Sequence, residues 1–179
     1  MWSFIIVLLM QISPEMCEVF KGQDFWLSKS TERNVCKWMP TVIKQARKNK
    51  IDPVLLSALI TVESGWRHNI VSSADACGLT QVIPKWTGGI TRKYTCEQLK
   101  DPYTSITAGA KILKWWIDHH DGDIARGLCG YSSGFRCKGK KPLHAGMNYS
   151  KKVLSQKQKI ERLYNNMKYD LDYMPSSQR

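Results

Sequence analysis

A chain of 179 residues with 42% hydrophobic and 23% charged side chains has the size and composition of one folded domain, which argues against a disordered or collagen-like protein. Lys and Arg number 27 and Asp and Glu 15, so the net charge is +12 and the surface attracts polyanions. Nucleic-acid binding would rest on this charge alone, because no zinc-finger spacing, recognition helix or RNA-binding aromatic motif occurs. We therefore expect no nucleic-acid partner.

The N-terminal residues form an apolar leader. Residues 1–12 are nearly all apolar, a length typical of a signal-peptide core and too short to span a bilayer. No Lys or Arg precedes this run, and no small-residue cleavage site follows it. We predict a signal-like or anchor segment over residues 1–16, with a buried N-terminal segment as the alternative. Residues 17–34 show no clear period and are predicted to be a linker or peripheral segment.

Two helices with different patterns follow. Apolar residues recur at helical spacing from Val35 and predict an amphipathic helix that ends in the basic turn 47–50. The second helix is apolar, begins with Asp52 as its N-cap and a proline after it, and ends at Gly65. Its last turn carries one carboxylate, Glu63. Burial there would disfavour the charged form and let Glu63 hold a proton near neutral pH, the alternative being an ordinary exposed glutamate.

The rest of the chain also predicts helices and no run of strands. Asp101 and Asp123 each cap a helix by the same local pattern, and the first of these helices is predicted to end at Gly122. A final long helix is predicted from Asn148, followed by a polar tail over residues 168–179. We expect turns or irregular segments between these helices, at residues 65–76, 78–84, 90–100, 130–134 and 135–146.

The cysteine count favours an oxidising compartment. Six cysteines are present and none belongs to a C-x-x-C metal pattern, so disulfides are expected rather than zinc. One arrangement among the possible pairings joins neighbours in sequence: Cys17 with Cys36, Cys77 with Cys96, and Cys129 with Cys137. His119, His120 and His144 lack the spacing of metal ligands, so no metal site is expected.

Four separated segments resemble, in order, the motifs of the SLT-type lytic transglycosylases of the lysozyme-like superfamily. They are residues 63–66, 72–84, 108–113 and 128–134, which match the family patterns E-S-G-aromatic, S-x-x-G-A-x-G-L-M-Q-L-x-P, A-G-x-x-Y-L and A-x-x-A-Y-N-A-G. The sequence departs from these patterns at Asp75, where the family has Gly, at Thr80, where it has Met, and at Ser132, where it has Asn. The resemblance covers about residues 36–165 and favours a catalytic role for Glu63.

This resemblance implies a fold and a set of site residues. The fold is mainly α and lysozyme-like, of the SLT or goose-lysozyme type, with a single catalytic domain over residues 35–167 that follows the apolar leader. Glu63 matches the family's catalytic acid. The positions expected to bind or orient the sugar are Ser72, Gly78, Leu79, Gln81, Tyr131 and Ser132.

The resemblance also implies a reaction, a substrate and a location. The substrate is peptidoglycan, cleaved at the β-1,4 bond between N-acetylmuramic acid and N-acetylglucosamine to give a 1,6-anhydro end, without a cofactor. A goose-type hydrolytic lysozyme and a non-catalytic wall-binding or structural subunit are the alternatives. We expect an exported protein, periplasmic, extracellular or virion-associated, that opens the wall locally for a phage particle or for a secretion or conjugation machinery. We expect the protein to contact a membrane only through its N-terminal apolar leader, if that leader is not cleaved.

Overall fold

The computed structural model describes residues 13–21, 24–25, 27–139 and 142–173. Most of the leader predicted over residues 1–16 lies outside these ranges. The described helices are the 3-10 helix Pro14–Phe20, α1 (Lys29–Lys48), α2 (Pro53–Ser64), the 3-10 helix Pro84–Gly89, α3 (Cys96–Lys100), α4 (Pro102–His119), α5 (Ile124–Ser133), the 3-10 helix Gly134–Cys137 and α6 (His144–Tyr173). Within these ranges β structure is limited to isolated bridges, which confirms the mainly α prediction. No described helix is both long and apolar enough to cross a membrane.

Helix α2 lies inside the core and fixes the position of Glu63. The Asp52 side chain accepts a hydrogen bond from the Val54 amide at 2.8 Å and so caps the helix start, as predicted. Residues 54–60 are all buried, because α1 and α6 pack against α2. Gly65 ends the helix in the left-handed conformation, with φ 56° and ψ 37°. The Glu63 carboxylate therefore lies in the last turn of α2, at the edge of the core, on a helix that packing holds rigid.

The caps of α4 and α5 follow the sequence prediction, whereas the two helix ends differ from it. Asp101 and Asp123 both accept hydrogen bonds from backbone amides of their first turns. Helix α4 ends at His119, before the predicted stop, and α5 continues to Ser133 through the segment predicted as a bend. A Cβ built on Gly130 would lie 2.3 Å from the ring of Trp116. Gly130 is thus a packing glycine that lets α5 approach α4 closely, and it does not form a turn.

Residues 17–34, predicted as a linker or peripheral segment, instead contribute to the core. Cys17, Val19 and Phe20 on the first 3-10 helix are buried, and α1 begins at Lys29, well before the expected start. The Ser28 hydroxyl caps the start of α1 by accepting a hydrogen bond from the Thr31 amide at 3.2 Å. The apolar residues of such a short segment are too few to show a period, so only tertiary packing reveals their burial.

Two other elements differ from the sequence prediction in extent. The stretch 90–100, expected to be irregular, contains α3. This helix begins with a reciprocal capping box between Thr95 and Gln98. Helix α6 begins at His144, one turn earlier than predicted, and continues to Tyr173, into the stretch predicted as a polar tail. The loop predicted over the basic segment 135–146 is therefore shorter than expected, because its first residues belong to a 3-10 helix and its last residues belong to α6.

The three disulfides join neighbours in sequence. They are Cys17–Cys36, Cys77–Cys96 and Cys129–Cys137, and the structure describes no free cysteine in the ranges given above. These bonds are the sequence-neighbour pairing considered above. Each bond fixes one segment beside the core: the N-terminal 3-10 helix, the loop before α3, and the end of α5.

Candidate active site

A cleft of about 930 Å³ opens beside the end of α2. Its walls come from the end of α2, the segment 72–90, helices α4 and α5 with the 3-10 helix that follows them, and the start of α6. Of the predicted site residues, Glu63, Ser72, Gln81, Tyr131 and Ser132 line it. Residues from distant parts of the chain thus converge on one concave surface, which is the usual form of a small-molecule or polymer-binding site.

Glu63 is the cleft residue whose pKa is shifted into the neutral range. Desolvation by burial raises the pKa of its carboxyl from 4.5 to about 7, against the opposing effects of a hydrogen bond from Tyr149 and the charge of Lys152. The Tyr149 hydroxyl donates to Glu63 Oε1 at 2.5 Å. A carboxyl with this pKa is divided between its two protonation states at neutral pH, so it can both donate and accept a proton.

Tyr149 is the site residue that sequence reasoning missed. It lies in the first turns of α6, outside the four segments that carry the family motifs, so none of those motifs pointed to it. A signal was available, because Tyr149 precedes the fully buried Val153 by one helical turn and thus shares its inward side. Burial raises the pKa of Tyr149 well above 10, as do the nearby Glu63 and Tyr131, so its hydroxyl keeps its proton as a donor.

Tyr131 lies beside the same carboxyl without a hydrogen bond to it. Its hydroxyl donates to the carbonyl of Thr80 at 2.7 Å. Burial raises the pKa of Tyr131 well above 10, and the charge of Glu63 raises it further, which places the two groups within electrostatic range of each other. Tyr131 therefore ties α5 to the segment that follows Gly78 and forms a wall next to Glu63.

The segment around Gly78 serves the cleft mainly through its backbone. Gly78 has φ +77°, and a Cβ built on it would lie 1.9 Å from the carbonyl oxygen of Leu99. Leu79 is fully buried in the core, and neither residue lines the cleft. Gln81 does line it, with its side-chain amide donating to the Gly78 carbonyl at 2.9 Å. The Gly78 carbonyl thus anchors the Gln81 side chain, and Leu79 anchors the same segment in the core.

A comparison with known families identifies the domain that contains this cleft. The family model described as Transglycosylase SLT domain matches residues 40–154 of the chain. The chain belongs to this family. The match lies inside the domain predicted over residues 35–167, and it contains Glu63 together with both tyrosines of the cleft, Tyr131 and Tyr149.

A solved structure shows the same fold over most of this chain. An inactive mutant of the lytic transglycosylase Slt from Pseudomonas aeruginosa superposes with a TM-score of 0.63 at 20% sequence identity. The alignment covers 70% of this chain and 24% of that one, so this chain spans about a quarter of the length of its structural relative. At this identity the likeness establishes a lysozyme-like SLT fold.

Two serines of the SLT domain lie in the cleft wall. The Ser72 hydroxyl accepts hydrogen bonds from the amides of Ala74 and Ala76 at 3.2 and 3.1 Å, so it shapes the turn that enters the cleft. Ser132 is exposed and its hydroxyl donates to the Cys129 carbonyl at 3.2 Å. Ser132 thus leaves room at a position where the resemblance implied an asparagine amide.

Aromatic rings line the cleft of the SLT domain in addition to Tyr131 and Tyr149. Trp86 is 65% exposed and Phe135 is 64% exposed, and both line the cleft together with Trp115 and Trp116. Trp66, by contrast, is fully buried in the core. Large exposed rings in a concave site are typical of surfaces that bind a partly apolar ligand, and sugar rings are of this kind.

Proposed function

We propose that this SLT-domain protein is a peptidoglycan lytic transglycosylase that uses Glu63 for both proton transfers. The observation that carries the proposal is a single carboxyl, with a pKa of about 7, at the end of a buried helix inside a polymer-sized cleft. No second acidic side chain lines the cleft among the described residues, and Asp75 is exposed outside it. Hydrolytic glycosidases ordinarily use two carboxylates flanking the bond, so this site favours a one-carboxyl reaction.

The proposed reaction begins with protonated Glu63. It gives its proton to the glycosidic oxygen as the bond from C1 of N-acetylmuramic acid breaks. The resulting carboxylate then takes the proton of the C6 hydroxyl of the same sugar, whose oxygen bonds to C1 and closes the 1,6-anhydro ring. Because this hydroxyl is tethered to the reacting ring, it replaces water at high effective molarity. Tyr149 donates to the carboxylate formed between the two steps and stabilises it.

Glu63→Gln tests the proposal, since glutamine keeps the shape of the side chain and cannot donate the proton. We expect clearing of purified peptidoglycan to fall by about three orders of magnitude or more. Glu97→Gln is the matched control, because Glu97 is an exposed residue of α3 outside the cleft. Unchanged clearing by Glu63→Gln would show that this residue is not the acid.

Mass spectrometry of the products distinguishes the two reaction types. An anhydro end shows that the C6 hydroxyl attacked, as proposed, whereas a reducing end shows that water attacked, as in a goose-type lysozyme. Binding to the wall with neither product would identify a non-catalytic wall-binding subunit.

We place this activity outside the cytoplasm, in the periplasm, outside the cell or on a virion. Three disulfides support this location, because such bonds persist in oxidising compartments. Local opening of the wall for a phage particle or for a secretion or conjugation machinery is the biological setting that we propose. Fractionation with an epitope-tagged chain, followed by recovery of associated proteins, tests both statements.

A further inference from the structure

The cleft carries two positive charges that the proposed acid–base chemistry does not use. Lys85 on the 3-10 helix before α3 and Arg136 on the 3-10 helix after α5 both line it and are both exposed. Glu63 is the acidic side chain among the described residues that line the cleft, and its raised pKa leaves it partly neutral. The described walls of the cleft therefore carry a net positive charge.

No carboxylate of the described residues pairs with either of these two cations. The ion pairs of this part of the chain involve other cations, such as Lys100, which pairs with Glu97 at 2.6 Å outside the cleft. Lys85 Nζ lies 5.0 Å from the centre of the Trp86 ring, which holds the ammonium beside an exposed aromatic surface. Their charges remain available to a ligand in the cleft.

Both cations stand on anchored backbone. The Thr87 hydroxyl donates to the Pro84 carbonyl at 2.8 Å and accepts from the Tyr94 amide at 3.1 Å, which fixes the 3-10 helix that carries Lys85. Arg136 directly precedes Cys137, which is joined to Cys129. Anchored charges lose less conformational freedom on binding than charges on mobile loops do, so they contribute more to affinity.

We propose that Lys85 and Arg136 bind carboxylates attached to the muramic acid residues of the glycan strand. The inference rests on the function proposed above, and it narrows the substrate to peptidoglycan with free carboxylates. A β-1,4 chain of N-acetylated sugars has no charge of its own, so cations contribute little to binding the sugar backbone. Negative charge resides on the lactyl group of muramic acid when it is unsubstituted, or on the peptide stem attached to it. Both sources present the same chemistry, a carboxylate projecting from the strand, and a lysine and an arginine are suited to bind it.

The test compares binding to intact peptidoglycan with binding to the same material after its carboxylates are converted to amides. Lys85→Gln/Arg136→Gln is the test variant, and Lys44→Gln/Lys111→Gln is the control, because these lysines are exposed outside the cleft and the net charge changes equally. Binding is measured by co-sedimentation in a Glu63→Gln background, so the result does not depend on catalysis. Clearing kinetics with active Glu63 run in parallel.

At low salt we expect the test variant to bind intact peptidoglycan about tenfold more weakly than the control does, with kcat/KM falling to match. This difference should shrink at high salt and be absent on amidated peptidoglycan, since screening or removal of the carboxylates removes the interaction. Lys85→Arg/Arg136→Lys, which keeps both charges, should restore binding.

Glycan strands stripped of their peptides identify the source of the carboxylate. A difference between test variant and control that persists on stripped strands shows that the lactyl carboxylate, which stripping frees, is sufficient for the interaction. A difference that disappears assigns the peptide stem. Equal binding of the test variant and the control to intact peptidoglycan would overturn the proposal. So would a difference between them that is as large on amidated peptidoglycan as on intact peptidoglycan. Failure of the wild type to clear any substrate would contradict the proposed function and leave the binding comparison intact.

Discussion

Replacing Tyr149 with phenylalanine should raise the pH at which activity is lost. Tyr149 donates a hydrogen bond to Glu63 at 2.5 Å, and this bond holds the pKa of Glu63 below the value that burial alone would impose. Phenylalanine removes the donor and keeps the ring. A hydrogen bond to a charged group contributes about 1.5–3 kcal/mol, and one pH unit corresponds to about 1.4 kcal/mol. We therefore expect the pKa of Glu63 to rise from about 7 by roughly one to two pH units.

The pH dependence of kcat/KM measures this shift. The reaction begins with protonated Glu63, so kcat/KM falls as the pH rises through its pKa, and this alkaline limb should move upward in Tyr149→Phe. The maximal rate should fall as well, because the carboxylate formed midway loses its donor. Tyr164→Phe is the control: it deletes a buried hydroxyl of the same helix that contacts Ser13. An alkaline limb that stays at the wild-type pH, or that moves downward, would refute this account of how the Glu63 pKa is set.

Three further predictions concern stability and the cleft wall. Glu63→Gln should stabilise the protein by up to about 3 kcal/mol above pH 7, because the folded state holds the Glu63 proton up to a pKa of about 7 and the unfolded chain releases it near 4.5. The stability of the wild type should thus fall between pH 4.5 and 7 relative to the variant, which denaturant unfolding at several pH values measures. Gly78→Ala should cost at least about 3 kcal/mol of the free energy of unfolding, since the new Cβ meets the Leu99 carbonyl at a positive φ. Replacing Cys129 and Cys137 with serine should cost about 2.5 kcal/mol for a loop of this length and should raise KM, because the bond anchors a wall of the cleft.

Each of these predictions has a control variant or an outcome that would contradict it. For Glu63→Gln, a stability difference that is independent of pH would show that titration of this carboxyl is not its cause. Gly89→Ala is the control for Gly78→Ala, because a Cβ on Gly89 meets no atom within 4 Å. Serine at Cys17 and Cys36 should cost somewhat more stability than the change at the shorter loop, about 3 kcal/mol, and leave KM unchanged. A KM effect of equal size in both disulfide variants would contradict a local role in the cleft.

Local signals in the sequence predicted much of this fold. Asp52, Asp101 and Asp123 cap their helices as predicted, because a cap depends on contacts within the first turn and tertiary packing changes it little. The family motifs identified the SLT domain, and the position of Glu63 next to Gly65 placed the acid at a helix end. These inferences succeed because residue type and spacing within a few positions carry them.

The features that complete the site depend on contacts between distant segments. Glu63 and Tyr149 lie 86 positions apart and meet only because α2 and α6 pack together. Gly130 was expected in a bend but lies within α5, where the ring of Trp116 occupies the space that a side chain would need. The sequence by itself determined the mainly α class, the caps at Asp52, Asp101 and Asp123, the cysteine content and the family of the chain. Only the tertiary structure decided which hydroxyl contacts the acid and how far burial raises its pKa, because both depend on distances that no local pattern contains.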